Sequence, residues 1–196
     1  MADWTIVIPV KGTAAAKSRL GASAPLARAI ALDTVAAVVS VPELVARVIV
    51  VTNASAAPDF EALGASVVID KRGGLTAAIA SGLEAAGAGP TAVLLGDVPA
   101  VRPEELVRAL MLAEGHPLGM VADADGDGTV LITALDTSDH RPAFGPDSRA
   151  AHIAAGYFEL AVPHDSGLRR DVDTSEQLDA LAAAGRLGFR TAAATK

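Results

Sequence analysis

One stretch decides the fold of this chain: Thr91-Ala92-Val93-Leu94-Leu95-Gly96-Asp97-Val98-Pro99. Its continuous apolar run, which Gly96 and Pro99 delimit, is typical of a strand buried on both faces of a parallel sheet. Ligands of open α/β sheets bind at the carboxyl ends of such strands. Asp97 follows the run directly after Gly96, so we predict that it serves a ligand site at this edge of the sheet.

Predicted strands and helices alternate along the first half of the chain. Apolar runs predict further strands at Trp4–Val10, Val48–Thr52 and Ala65–Ile69. Helices are predicted at Pro25–Ser40, near Asp59–Leu63, from Gly73 to about Ala86, and from Pro103 to near Gly115. Because strands that alternate with helices pair in parallel through right-handed crossovers, we predict an α/β fold with a mostly parallel central sheet.

The second half has a different pattern. Two apolar runs, Leu118–Ala122 and Thr129–Thr133, flank an Asp- and Gly-rich turn, which predicts an antiparallel hairpin. The remaining predicted elements are a helix at Asp147–Ala155 that Asp147 caps, a strand at Tyr157–Val162 and a helix at Thr174–Ala184, after which the tail from Gly185 is expected to fray. No long linker interrupts the pattern, so residues 1–196 are expected to form a single domain.

Composition excludes several classes of protein. The chain has 196 residues, of which 51% are hydrophobic and 20% charged, so it is globular and long enough to bury a core. A formal net charge of −7 without a basic cluster argues against binding to nucleic acids or anionic membranes. The absence of cysteine excludes disulfides and thiolate metal sites. Since no leader segment or membrane span is evident, we expect a cytoplasmic protein.

The loop after the first strand is a candidate phosphate site. It is rich in small residues and carries Lys11, Lys17 and Arg19 between a strand and a helix, where amides and cations can neutralise a triphosphate. It matches neither the Walker A pattern nor G-x-G-x-x-G. A basic surface loop explains the spacing equally well, so the sequence leaves both interpretations open.

Three acids from distant stretches are candidate metal ligands. In an extended backbone, Asp171 and Asp173 would point to one side and Val172 inward. Together with Asp97 they would supply hard oxygen donors of the kind that Mg²⁺ accepts when it bridges phosphates. The alternative is that Asp173 or Thr174 caps the following helix, and the two roles are compatible because they use different atoms.

The turn between the two hairpin strands resembles the start of a calcium loop. Acids occupy its first, third and fifth positions, beginning at Asp123, but the twelfth position is Ala134 rather than a bidentate Glu. A calcium sensor is therefore rejected. We predict that the acids form the hairpin turn and leave Thr129 with a free hydroxyl.

A second candidate phosphate site is Phe144-Gly145-Pro146-Asp147-Ser148, which leads into a helix that contains His152. The free amides at a helix start, together with the Ser148 hydroxyl, suit a phosphate, although plain capping explains the stretch as well. His152 lies one turn after Ser148, and a structural role is favoured for it.

These motifs, taken in order, resemble a known family. The motifs are Pro9-Val10-Lys11 with Ala16-Lys17-Ser18-Arg19-Leu20, Leu95-Gly96-Asp97-Val98-Pro99, Phe144-Gly145 with Ser148, and Asp171-Val172-Asp173-Thr174. They resemble the guanylyltransferases that make the activated intermediate of the deazaflavin coenzyme F-420, which are similar to molybdenum-cofactor guanylyltransferases. The resemblance covers nearly the whole chain and implies the three-layer, Rossmann-like nucleotidyltransferase fold. It departs at Gly74-Leu75-Thr76, where the family pattern has Asn in place of Thr76.

The resemblance also implies roles for individual residues. Asp97, Asp171 and Asp173 would bind two Mg²⁺ ions, with Lys17 and Asp97 as catalytic residues. Thr129, Gly145 and Ser148 would hold a small phosphorylated carboxylic acid. The residues that would contact GTP are Lys11, Gly12, Lys17, Arg19 and Thr76.

The implied reaction transfers GMP from GTP to the acid and releases pyrophosphate. Phosphoenolpyruvate is favoured as the acceptor because the Ala- and Gly-rich composition suggests a GC-rich bacterial genome. The alternatives are 2-phospho-L-lactate as acceptor, a metal-dependent glycosyltransferase of related fold, and a non-catalytic nucleotide-binding module. The apolar hairpin around Thr129 offers a surface for a homodimer.

Overall fold

The computed structural model of the protein describes residues 3–10 and 23–196. Its strands are β1 (Trp4–Pro9), β2 (Val45–Thr52), β3 (Ser66–Ile69), β4 (Thr91–Leu94), β5 (Leu118–Ala122), β6 (Thr129–Ala134) and β7 (Phe158–Glu159). Its α-helices are α1 (Ala24–Val39), α2 (Ala57–Glu61), α3 (Leu75–Ala86), α4 (Pro103–Ala113), α5 (Ser148–Ala154), α6 (Ser175–Ala183) and α7 (Phe189–Ala194). Single 3-10 turns lie at Thr137–Asp139 and Gly167–Arg169.

The seven strands form one sheet in the order β3-β2-β1-β4-β6-β5-β7. Strands β1 to β4 pair in parallel, whereas β6 runs antiparallel to both of its neighbours, β4 and β5. The predicted α/β fold, with a mostly parallel sheet and an added antiparallel hairpin, is confirmed. Both hairpin strands pair on both edges, because β7 covers the outer edge of β5. The homodimer through this hairpin stays a prediction.

Helices cover both faces of the sheet because its central strands are apolar throughout. Ile6 and Ile8 of β1 point into one core, which also contains Phe60 of α2 and Leu106 of α4. Val7, between them, points into a second core, which contains residues of α3 and the Tyr157 ring. Successive side chains of β1 thus pack into two cores on opposite faces of the sheet, and the sheet forms the middle of three layers. No helix within the described ranges is long and apolar enough to cross a membrane.

Two elements near the C-terminus differ from the prediction. Only Phe158 and Glu159 of the predicted strand Tyr157–Val162 form β7, because the chain then turns and the amide of Val162 donates to the carbonyl of Leu160 at 2.8 Å. Asp147 occupies the N-cap position of α5, but its side chain makes no capping hydrogen bond and its backbone is left-handed, with φ 54°. The predicted Asp147 side-chain cap is therefore wrong.

The tail after Gly185 forms α7 rather than fraying. The buried carboxylate of Asp33, on α1, accepts hydrogen bonds from the Thr191 amide at 2.7 Å and the Thr191 hydroxyl at 2.8 Å. The amide of Gly188 donates to the carbonyl of Pro99 at 3.0 Å. A polar anchor on α1 therefore orders a segment whose own sequence carries little helical patterning.

Candidate active site

Asp97 lies where β4 ends, beside the start of β6. Leu94 pairs with Leu131, and the amide of Leu95 donates to the carbonyl of Val130 at 2.9 Å. Because β6 runs antiparallel to β4, its first residue, Thr129, lies next to the residues that follow β4. The antiparallel strand thus brings the predicted acceptor-binding residue to the edge where Asp97 lies.

Asp171 and Asp173 reach the same edge through the residue between them. The amide of Val172 donates to the carbonyl of Asp97 at 2.9 Å, and the Val172 side chain is fully buried in a core with Ile30. With Val172 inward, both neighbouring carboxylates line a cavity of about 200 Å³ together with Asp97. The predicted convergence of the three acids is confirmed, whereas their role as metal ligands stays a prediction.

Thr174, rather than the Asp173 carboxylate, caps α6. The Thr174 hydroxyl accepts from the Gln177 amide at 3.3 Å, and the Gln177 side-chain oxygen accepts from the amides of Asp173 and Thr174 at 2.8 and 3.0 Å. This reciprocal capping box engages the Asp173 backbone. The cap and the cavity therefore use different atoms of Asp173, as expected.

The three carboxylates concentrate negative charge at one cavity, where Asp97 and Asp171 are half-buried and Asp173 is exposed. Burial raises the pKa of Asp171, and the charges of Asp97 and Asp173 raise it further, to about 7. Asp123 makes a smaller contribution to this shift. Among residues 3–10 and 23–196, no three side chains of the metal-binding types are close enough to form a ready-made metal cage.

The rest of the cavity lining is apolar and contains the end of β1. Its lining residues include Pro9, Val10, Ala27, Ile30, Leu75, Leu95 and Gly96. A Cβ at Gly96 would lie 3.0 Å from the carbonyl oxygen of Pro9, so a larger residue would crowd the ends of β1 and β4. Thr76, exposed in the first turn of α3, follows the lining residue Leu75. Lys11, Gly12, Lys17 and Arg19 lie outside the described residues, so the roles of these residues stay predictions.

Asp123 organises the hairpin turn. Its carboxylate accepts hydrogen bonds from the amides of Gly126, Asp127 and Gly128 at 2.6, 3.2 and 2.8 Å. The prediction that these acids form a turn is therefore confirmed for Asp123. A Cβ at Gly128 would lie 2.2 Å from the Asp123 carboxylate, so a larger residue here would displace the carboxylate from the turn amides.

The other predicted acceptor-binding residues meet this turn. The amide of Arg149, which follows the buried Ser148, donates to the carbonyl of Asp127 at 3.0 Å. Gly145 is exposed, has φ 141°, and accepts from the Ser148 amide at 3.2 Å through its carbonyl. The stretches that carry Thr129, Gly145 and Ser148 are therefore neighbours.

The Thr129 hydroxyl is not free, contrary to prediction. His152 is fully buried, and its Nδ1 lies 3.0 Å from the Thr129 Oγ1. Its Nε2 accepts a hydrogen bond from the amide of Ala143 at 2.9 Å. His152 thus joins the start of β6 to the stretch before Gly145, a contact that spacing along the sequence could not reveal.

Arg169 is a second residue that sequence reasoning missed. It is 6% exposed, and its Nε and Nη2 donate to the carbonyl of Asp123 at 3.2 and 2.9 Å. Its Nη1 donates to the carbonyl of Val162 at 3.3 Å. The guanidinium therefore links the hairpin turn to the segment that precedes Asp171. In the sequence, Leu168-Arg169-Arg170 has the composition of a solvated turn and gives no signal of burial.

Comparison with known proteins agrees with this geometry. Residues 22–170 match the family model of the MobA-like NTP transferase domain. The chain is 44% identical to the phosphoenolpyruvate guanylyltransferase of Streptomyces coelicolor, covering 97% of this chain and 95% of the relative. It is 45% identical to the protein of the same name from Salinispora arenicola, covering 96% and 92%.

A solved structure of a protein from Desulfovibrio desulfuricans G20 superposes with a TM-score of 0.71 at 18% identity, covering 100% of this chain and 94% of that one, and so shows the same fold. The fold and the near full-length relatives confirm the resemblance that the motifs predicted. The chain belongs to the MobA-like NTP transferase family and, within it, to the family of phosphoenolpyruvate guanylyltransferases.

Proposed function

We propose that this protein transfers GMP from GTP to phosphoenolpyruvate and releases pyrophosphate, as a cytoplasmic step of coenzyme F-420 biosynthesis. The relatives from Streptomyces coelicolor and Salinispora arenicola carry this activity in their names and align with nearly the whole chain. Their names favour phosphoenolpyruvate over 2-phospho-L-lactate. The observation that carries the proposal to this chain is the meeting of Asp97, Asp171 and Asp173 at one cavity beside the Thr129 and Ser148 stretches.

The donor set fits magnesium. All three side chains offer hard carboxylate oxygens. Burial, together with the charges of Asp97 and Asp173, raises the pKa of Asp171, and a bound cation would relieve this repulsion. Mg²⁺ usually takes one or two protein carboxylates and completes its shell with water and substrate phosphates, so a ready-made cage is not required. Bound there, two such ions would neutralise the triphosphate and polarise its α-phosphorus.

The groups of this chain are then needed for positioning rather than for proton transfer. An oxygen of the acceptor phosphate attacks the α-phosphorus of GTP, a new P–O bond forms, and the bond to the β-phosphate oxygen breaks to release pyrophosphate. A phosphate monoester has its second pKa at about 6, so at neutral pH it attacks without a general base. The hydroxyls of Thr129 and Ser148, with the Gly145 backbone, are proposed to hold the acceptor in line.

Two described residues on either side of positions 11–22 line the cavity. Val10 lines the cavity just before this segment, and Ala27 of α1 lines it just after. We propose that Lys11, Lys17 and Arg19, which the segment carries, neutralise the triphosphate, with Lys17 at the reacting phosphate. The start of α3, at Thr76, is proposed to contact the nucleotide.

The test is pyrophosphate release and product mass. The purified protein is incubated with GTP, with or without Mg²⁺, and with phosphoenolpyruvate, 2-phospho-L-lactate or no acceptor. We expect release only with Mg²⁺ and an acceptor, fastest with phosphoenolpyruvate, and a product whose mass equals the acceptor plus GMP minus water. Release without any acceptor, or none with either acid, would refute the proposal.

A further inference from the structure

We propose that His152 is a positioning residue of the acceptor site, which orients the Thr129 hydroxyl so that its proton is presented to the bound acid. This inference rests on the proposed function, because it takes Thr129 as an acceptor-binding residue. It adds a residue whose side chain is fully buried and need not touch any substrate.

The tautomer of His152 follows from its hydrogen-bond partners. The Ala143 amide can only donate, and it lies 2.9 Å from Nε2, so Nε2 must carry a lone pair. A neutral imidazole then carries its proton on Nδ1, which lies 3.0 Å from the Thr129 Oγ1. Nδ1 must therefore donate; its proton is shared with the backbone of Ser148, one turn earlier on α5, and toward Nδ1 the Thr129 hydroxyl can only accept. Burial lowers the pKa of His152, which favours the neutral ring that this arrangement requires.

The direction of that hydrogen bond determines what Thr129 can do. A hydroxyl has one proton, and this one is not used toward His152. Within the described part of the chain, no other group accepts the proton of the Thr129 hydroxyl. Thr129 is 3% exposed, so the acceptor would have to reach this proton through the small accessible part of the residue. The preset orientation means that binding does not have to order the hydroxyl. Without the imidazole, the same hydroxyl could rotate and lose part of this advantage.

Surrounding side chains hold the ring in place. Phe144 and Tyr157 contact His152 edge-on, with ring centroids 4.9 and 5.2 Å away. The Ala143 amide fixes the far side of the ring. The imidazole is therefore held in one position, and its Nδ1 is a fixed hydrogen-bond donor that orients the Thr129 hydroxyl.

Two conservative variants separate this role from a structural one. In His152→Asn, the side-chain nitrogen is as many bonds from Cα as Nδ1 is, so it can still donate to Thr129. In His152→Gln, the side-chain oxygen is as many bonds from Cα as Nε2 is, so it can still accept from Ala143. His152→Asn loses the contact to the Ala143 amide, and His152→Gln loses the contact to the Thr129 hydroxyl. A purely structural role therefore predicts similar losses of thermal stability and activity in both.

The experiment measures KM for phosphoenolpyruvate and for GTP, together with kcat, in both variants. We expect His152→Gln to raise KM for phosphoenolpyruvate about tenfold, as befits one hydrogen bond to an anion, and to leave KM for GTP within about twofold. His152→Asn should stay closer to wild type. Placed in a Thr129→Val background, His152→Gln should raise KM no further, because the hydroxyl through which it acts is gone.

His140→Asn is the matched control. His140 belongs to the same ring cluster, with Nδ1 3.1 Å from the Tyr157 hydroxyl, but its Nε2 contacts the carbonyl of Thr91, at the opposite end of β4 from Asp97. Its KM for phosphoenolpyruvate should not change. Equal KM values in the two His152 variants, or additive effects with Thr129→Val, would overturn the inference while leaving the proposed function intact. A wild-type protein that turns over no acceptor would overturn both.

Discussion

Removing the carboxylate of Asp33 should destabilise the protein strongly while leaving the candidate active site intact. In Asp33→Ala, the Thr191 amide and hydroxyl lose their buried acceptor, which lies 2.7 and 2.8 Å away in wild type. Each buried donor left without a partner costs about 1–3 kcal/mol. The contacts to Arg190, whose side chain is 39% exposed, should add little. We therefore expect a loss of about 4 kcal/mol in the free energy of unfolding.

The assay is urea unfolding followed by circular dichroism, with thermal unfolding in parallel. For a chain of this length, a loss of about 4 kcal/mol corresponds to a decrease in Tm of about 8–16 °C. Asp33→Asn can still present an oxygen to Thr191 and should lose less. Asp179→Ala, at an exposed position on α6, is the control and should change the free energy of unfolding by less than about 0.5 kcal/mol.

Hydrogen exchange shows whether the loss in free energy of unfolding is confined to α7 or shared by the whole fold. If α7 undocks as a unit, the Thr191 amide will exchange faster in Asp33→Ala than amides of β4 do. A loss below about 1 kcal/mol, with Thr191 exchange unchanged, would refute the reasoning. It would mean that another contact anchors the C-terminal helix.

Two further predictions concern the acids and a buried histidine. Asp97→Asn should lower kcat at least about 100-fold, because bound metal ions contribute several kcal/mol to such reactions. A variant with unchanged circular dichroism and a near-normal rate would show that Asp97 is not a catalytic residue. The free energy of unfolding of wild type, relative to His140→Gln, should fall by at most about 3 kcal/mol from pH 6.5 to pH 4. Burial lowers the pKa of His140 to about 4, so over this range the unfolded chain binds the proton and the folded one does not. Asp171, with its raised pKa, acts in the opposite sense over part of this range, and the comparison of two proteins cancels its effect. If urea titrations show that the difference in free energy of unfolding between wild type and His140→Gln does not change with pH, the prediction is wrong.

Much of the candidate site was predictable because its residues follow directly on recognisable elements. Asp97 closes an apolar run, and Asp171 and Asp173 flank a residue that must face inward. In each case the local pattern determines the side to which the carboxylate points. The order of the elements also predicted the parallel sheet, because alternating strands and helices have few ways to pack.

Contacts between distant residues were not predictable, since each partner has an ordinary local sequence. Nothing near Arg169 indicates that its guanidinium is buried against the Asp123 carbonyl. Nothing near His152 indicates that it meets Thr129, 23 positions earlier. The tail also looked free to fray, because its anchor, Asp33, lies 158 positions away from Thr191.

The sequence by itself determined the class of fold and the edge of the sheet where Asp97 lies, and it predicted a metal-binding role for the three acids. Apolar period and residue type are local properties, and they suffice for these conclusions. Only the tertiary structure decided that β6 lies antiparallel between β4 and β5, which brings Thr129 beside Asp97, and that His152 orients its hydroxyl. Strand order and hydrogen-bond direction depend on which distant groups are in contact, and a local sequence pattern does not indicate those contacts.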